Sequence, residues 1–153
     1  MTVKECIDKV DNLYPNQYSE EIKVDWLSRL DNQIFNDIIL SHEPPFPVPR
    51  MPIPNPIDQT EDDAEDIPKP PFPPIPEFKP YTMDNETVRL IAPFPYDELY
   101  IFYLQMKIDE ANKESVQYNN DAMLFNSYYE NFAKYYNKIH MPINRARYNM
   151  WRH

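Results

Sequence analysis

Fourteen of the eighteen prolines in this 153-residue chain fall between positions 42 and 80. Proline has no amide hydrogen to donate and its ring fixes φ, so at this density neither a helix interior nor a central strand can run through the segment. The chain is thereby divided. Residues 1–41 and 81–140 are left to build one domain between them, and residues 42–80 form an arm of extended or polyproline II character. Within the arm, PPFPVPRMPIPNP and IPKPPFPPIPEFKP flank an acidic run from Asp58 to Asp66 that holds Glu61, Asp62, Asp63 and Glu65. Phe46, Val48, Ile53, Phe72, Ile75 and Phe78 are woven between the prolines. A solvated linker is poor in such residues, so the arm is expected to dock rather than idle.

The second constraint is the absence of glycine. Average usage of ~7% would place about eleven in a chain of this length. Phosphate-cradling loops, dinucleotide-binding turns and nucleophile elbows need glycine where backbone approaches a ligand or takes positive φ, and none can be written here. Codon bias in a low-GC genome would deplete glycine too, with the same consequence for mechanism. The net charge of -10 argues against a protein that coats nucleic acid.

No catalytic, cofactor or metal site is expected. His42, His140 and His153 are scattered, and Asp62 with Asp63 lacks the glycine and ligand spacing of a calcium loop. Cys6 has no partner for an internal disulfide and falls on the apolar stripe of its helix, so it is expected as a buried small hydrophobe. The N-terminus shows no signal-peptide core, and the chain has no run of ~18 apolar residues, so neither secretion nor a membrane span is expected.

Outside the arm the pattern is helical. Thr2 and Glu5 have capping-box spacing, and Val3, Cys6, Ile7 and Val10 share one face of a first helix ended by Pro15. Ser19 is expected to cap a second helix with Ile22, Trp26, Leu27, Leu30, Ile34 and Ile38 as its stripe, running to about Leu40. Thr87 to Ile91 reads as a short strand stopped by Pro93. A third helix opens at Tyr96, its inner face holding Leu99, Tyr100, Tyr103, Leu104, Ile108 and Ala111. Ser115 is expected to cap a fourth, with Ala122, Phe125, Asn126, Tyr129, Phe132, Ala133 and Tyr136 facing inward. The short joint predicts an antiparallel hairpin. The fold class is thus mainly α: a small bundle of about four helices, a long proline-rich extended insert and a short β element.

Two features point to assembly. Twelve tyrosines, eight phenylalanines and two tryptophans exceed what a four-helix core of this size needs. Surface rings on the last two helices, at Tyr100, Tyr103, Tyr128, Tyr129, Tyr135 and Tyr136, suit subunit interfaces. Contacts between subunits are expected at Phe46, Ile53, Phe72, Ile75 and Phe78 of the arm and at Tyr128 and Tyr135. Residues 141–153 form a basic tail, where Arg145, Arg147, Tyr148, Trp151 and Arg152 are expected to dock on a partner, since arginine and tryptophan are enriched at interface hot spots.

Asn16 with Trp26-Leu27, then Pro95-Tyr96-Asp97-Glu98-Leu99-Tyr100, then Tyr118-Asn119-Asn120-Asp121 with Leu124-Phe125-Asn126 make a set. It resembles the small head-tail connector, or neck adaptor, proteins of tailed bacteriophages over roughly residues 10 to 140, interrupted by the arm. The resemblance implies a helical bundle that docks on the portal protein and forms a homo-oligomeric ring, usually of twelve copies, between portal and the next neck or tail protein. Such a ring extends the DNA channel, through which DNA passes without specific binding. It implies a place in the virion neck after assembly in the host cytoplasm. The rival expectation is a cellular scaffold or adaptor, whose Lys69-Pro70-Pro71-Phe72-Pro73-Pro74 run has the spacing that SH3- and WW-like grooves bind.

Overall fold

The computed structural model describes residues 1–42 and 76–140. Four helices build it: α1 (Val3–Leu13), α2 (Glu20–Asp37), α3 (Leu99–Asn112) and α4 (Ser115–Ile139). No strand forms among the described residues.

The start of α1 is the expected capping box. The Glu5 amide donates to Thr2 Oγ1 at 3.2 Å, and the Thr2 amide donates to Glu5 Oε2 at 2.8 Å. Its buried residues are Val3, Cys6, Ile7 and Val10, the i, i+3, i+4, i+7 set. On α2 the buried face is turned relative to expectation. Leu27, Leu30, Ile34 and Ile38 are inside, but so are Lys23, Val24 and Asp31, while Ile22 is 41% exposed. The reason is polar. Lys23 pairs with Asp11 of α1 and Asp31 anchors the core, and an apolar pattern registers neither group. The helix stops at Asp37 and continues as a 3₁₀ turn, Ile39–Ser41, short of the arm.

Three other expectations are corrected. Thr87 to Ile91 does not make a strand. It runs beside the N-terminus as a single antiparallel bridge between Thr2 and Arg89, with Val3 donating to the Val88 carbonyl and Leu90 to the Met1 carbonyl. From Val3 onward the partner backbone is helical, which ends the pairing there. Tyr96–Glu98 is a 3₁₀ turn, so α3 proper starts at Leu99, and Ala111 lies exposed past its packed face. Neither Ser19 nor Ser115 makes a side-chain cap; Ser115 is already the first residue of α4, after Glu114.

The antiparallel arrangement of α3 and α4 is visible in their aromatic pairs. Tyr103 meets Phe125, Phe102 meets Tyr128 and Tyr96 meets Tyr135, so position falls on one helix as it rises on the other. Asn126, expected inside, is exposed. The joint between the helices needs left-handed backbone. Lys113 takes φ 61° and ψ 34°, its amide donates to the Glu110 carbonyl, and the Glu114 amide reaches back to the Asp109 carbonyl. These are the two bonds of a Schellman motif, whose left-handed residue is usually glycine. A chain without glycine puts a lysine there and accepts a Cβ clash of roughly 1 kcal/mol.

One core joins both sides of the arm: Val3, Val10, Leu27 and Ile34 pack with Leu99, Leu104, Ile108 and Phe132. Asp31 sits at its centre, fully buried. The Tyr100 hydroxyl donates to one carboxylate oxygen. To the other, the Tyr81 hydroxyl donates at 2.6 Å and the Ile91 amide at 3.2 Å. Tyr100 oxygen in turn accepts from the Ala92 amide at 2.9 Å. Tyr100 is therefore a core residue and not a surface ring. Burial raises the Asp31 carboxyl above its ordinary value, and the three donated bonds oppose that rise.

Asp31→Ala leaves one buried and two part-buried donors without an acceptor, so denaturant unfolding followed by circular dichroism should show a loss of about 3 kcal/mol. Tyr100→Phe should cost about 2 kcal/mol, because it strands the Ala92 amide as well. Lys113→Gly should act in the opposite direction, stabilising the hairpin by about 1 kcal/mol in the same assay.

Candidate partner-binding surface

The C-terminal half of α4 carries Tyr128, Asn131, Tyr135 and Lys138 at steps of three and four, which places them on one face. Opposite that face runs the turn Phe94-Pro95-Tyr96 with Glu98 behind it. Together they enclose an open groove of about 620 Å³, with Lys134 at its edge. Tyr96 stacks on Tyr135, with ring centroids 4.6 Å apart and planes 27° apart. Tyr128 packs on Phe102 at 5.1 Å, and its hydroxyl is raised in pKa by its hydrogen bond to Glu98. Phe94 stands at the rim, 85% exposed.

The turn is held by what lies beneath it. The Ala92 amide is fixed by Tyr100, Ala92 is itself buried, and the Tyr96 amide donates to the Pro93 carbonyl at 2.8 Å. On the other side of Tyr135 a second depression of about 210 Å³ is walled by Pro93, Phe132, Tyr136 and Ile139. There His42 meets Tyr136 edge-on at 5.0 Å and shares a 2.7 Å hydrogen bond with the Asn137 side chain. The residue that precedes the proline-rich segment is thus anchored on α4.

Of the residues expected at contacts, Tyr128 and Tyr135 are brought to one groove, each half-buried with one side open. Tyr103, Tyr129 and Tyr136 are likewise half-buried against the seam between the helices. Phe78 packs on Phe35 and Tyr81 of its own chain. Phe46, Ile53, Phe72 and Ile75, the acidic run, and Arg145, Arg147, Tyr148, Trp151 and Arg152 lie outside the described residues. Sequence reasoning missed Phe94, Tyr96, Lys134 and Lys138. The three- and four-residue steps from Tyr128 to Lys138 were readable, whereas the approach of the Phe94 turn depends on tertiary packing.

At the far end of the hairpin lies a carboxyl pair. Asp109 is buried, with one oxygen accepting from the Tyr14 hydroxyl and the other, Oδ2, without a donor. The Asp121 carboxyl of α4 faces it. Partial burial, the Asp109 charge and a hydrogen bond to Asp109 push Asp121 up to about 6. A proton on Asp121 is the donor that Asp109 Oδ2 lacks. Among the described residues, no group of three or more His, Cys, Asp or Glu side chains is placed to hold a metal ion. Cys6 is fully buried, and burial pushes its thiol up to about 12, which keeps it protonated and unreactive at neutral pH.

Fold and surface together define a small helical bundle with a half-open aromatic groove. Compared with known proteins, the chain matches no family model, no curated protein and no solved structure. No described helix is long and apolar enough to cross a membrane.

The carboxyl pair has a signed pH dependence. Its folded pKa is raised, so the folded state holds the shared proton more tightly, and stability should fall as pH rises from the ordinary aspartate value through about 6. Asp121→Asn should flatten that slope and stabilise the protein at pH 7, by about 1 kcal/mol once solvent screening of this partly exposed group is allowed for. Denaturant melts at pH 4.5 and pH 7 check it.

Proposed function

We propose that this chain is a structural virion protein of a tailed bacteriophage, a neck component that forms a ring between portal and tail and extends the DNA channel. It acts by contact and not by catalysis. Its partners are sister copies, the portal protein above and the next neck or tail protein below, with DNA passing through without specific binding. Assembly takes place in the host cytoplasm.

The observation that supports this most is the unpartnered aromatic and apolar surface of α4. Besides the groove, Val116, Met123, Leu124 and Ile139 are large apolar side chains left exposed on the same helix. Exposed apolar side chains along a helix that also carries an aromatic groove suit a subunit of an assembly, which buries such surface against its neighbours. A ring also requires two different faces of each copy to meet, and a groove on one face with a separate arm on the chain satisfies that condition. The net charge of -10 suits a channel through which DNA must slide without sticking.

Size-exclusion chromatography with light scattering, run on the protein with and without its portal, tests this. A closed ring on the portal is expected, and a strictly monomeric protein that ignores the portal but binds an SH3- or WW-like module would establish the adaptor role instead. Removal of residues 141–153 should leave helicity unchanged and abolish docking on the portal, because the basic aromatic tail supplies the hot-spot residues. Docking that survives the deletion moves the portal contact elsewhere.

A further inference from the structure

Polyproline segments bind where parallel aromatic rings leave slots for the proline rings, and they lose little entropy on docking because the free chain is already extended. Phe94, Tyr96, Tyr128 and Tyr135 line the groove with rings on which prolines can pack. Tyr96 and Tyr135 stack on each other, and Phe94 stands exposed among the lining residues. A tyrosine hydroxyl and the Asn131 amide are available to the carbonyls of a segment that cannot use its own amides. The groove lining also holds Lys134 and Lys138. Lys134 is held by Glu130 only at 3.3 Å on an exposed face, a pair of little strength that a competing carboxylate can displace.

The chain carries a sequence of matching chemistry. Residues 61–66, EDDAED, supply five carboxylates, and residues 67–76, IPKPPFPPIP, follow at once with six prolines. The lysines of the groove match the acidic part, and its aromatic lining matches the prolines. His42 and Phe78, which bracket the segment, are each anchored on the bundle, His42 by Asn137 and Phe78 by Phe35 and Tyr81. Thirty-five residues lie between these anchors. Anchored at both ends, a fully extended loop of that length can reach about 54 Å from its anchors at about 3.1 Å per residue in polyproline II, beyond the roughly 37 Å of the longest helix, which has 25 residues at about 1.5 Å each.

We propose that this groove is the receptor for the proline-rich segment 61–76 of a neighbouring copy, an arm-in-groove contact that links subunits head to tail. The proposal rests on the assembly reading and names its contact. Phe94 is 85% exposed, so none of the described residues covers it and its ring is open to an occupant. Groove and arm are different surfaces, so the contact is heterologous and propagates around a ring instead of stopping at a dimer. Among the residues that line the groove, Glu98 is the single carboxylate, set against the two lysines Lys134 and Lys138.

The test replaces Phe94 with photoreactive p-benzoylphenylalanine in the full chain and irradiates it at assembling concentrations. The expected product is a crosslinked dimer whose peptide map joins position 94 of one copy to residues 61–76 of an isotope-labelled other. A crosslink confined to one chain overturns the contact between copies, and a crosslink to any other segment, or none, overturns the proposal outright. A second measurement does not depend on the photoprobe. A fluorescent peptide of residues 58–76 should bind the full protein, and Tyr135→Ala or Lys138→Glu should weaken it by about tenfold or more with helicity unchanged. Equal binding to the variants rejects the groove as receptor. A ring that forms on the portal without the arm crosslink defeats this inference alone, whereas a crosslink between copies without any portal complex defeats the neck assignment alone.

Discussion

The carboxylate of Asp31 is the interaction on which the rest of the structure depends. The proline-rich segment separates α1 and α2 from the C-terminal hairpin, so nothing local in the chain aligns the two parts. Apolar burial draws them together but is non-directional. Asp31 gives direction: from α2 it receives Tyr81 and Ile91 of the connecting segment and Tyr100 of α3. Desolvation of a carboxylate is costly, and here three donors offset it in part, leaving the carboxyl above its ordinary value. The arrangement reaches the surface by one further bond, since Tyr100 holds Ala92, and Ala92 precedes the turn that carries Phe94 and Tyr96 to the groove. A polar group at the centre of the core thus positions an aromatic surface at its edge.

The hairpin shows how a chain without glycine manages its turns. At the α3–α4 joint, Lys113 adopts left-handed backbone in a complete Schellman motif. Beside it, Asp109 and Asp121 hold their carboxyl groups together, a repulsive arrangement once both are ionised. Both features weaken the same end of the hairpin. The opposite end is tied by the stack of Tyr96 on Tyr135 and by His42 against Tyr136. Stability is therefore concentrated at the groove end, where a preformed surface favours binding.

Much of the fold was legible in the sequence because the amphipathic period is strong where it matters. Val3, Cys6, Ile7 and Val10 are buried as their spacing implies, and the Thr2–Glu5 box forms as written. The hairpin was likewise legible from a four-residue break between two aromatic runs. What escaped were positions decided by polar burial and by distant partners. Nothing in the pattern of α2 marks Asp31 as the centre of the core or turns Ile22 outward. β-branched residues at Thr87 to Ile91 suggested a strand, yet a strand needs an extended neighbour, and the chain beside it turns helical at Val3 after a single bridge. Tyr128 and Tyr135 were singled out by residue type as expected contacts, while the groove they line depends on the Phe94 turn coming up against them.

Bundle, groove and arm form one account: two helical segments are locked by Asp31, the lock presents an aromatic face, and our proposal is that other copies in a phage neck dock on that face. The most direct measurement is the composition of purified tailed particles from the genome that encodes this chain, by quantitative mass spectrometry with antibody labelling in the electron microscope. The account predicts a fixed multiple of copies per particle, dodecameric at the portal vertex and absent from isolated tails that have not joined heads. Particles complete in every other protein but lacking this chain, or carrying it scattered over the capsid shell, would contradict it.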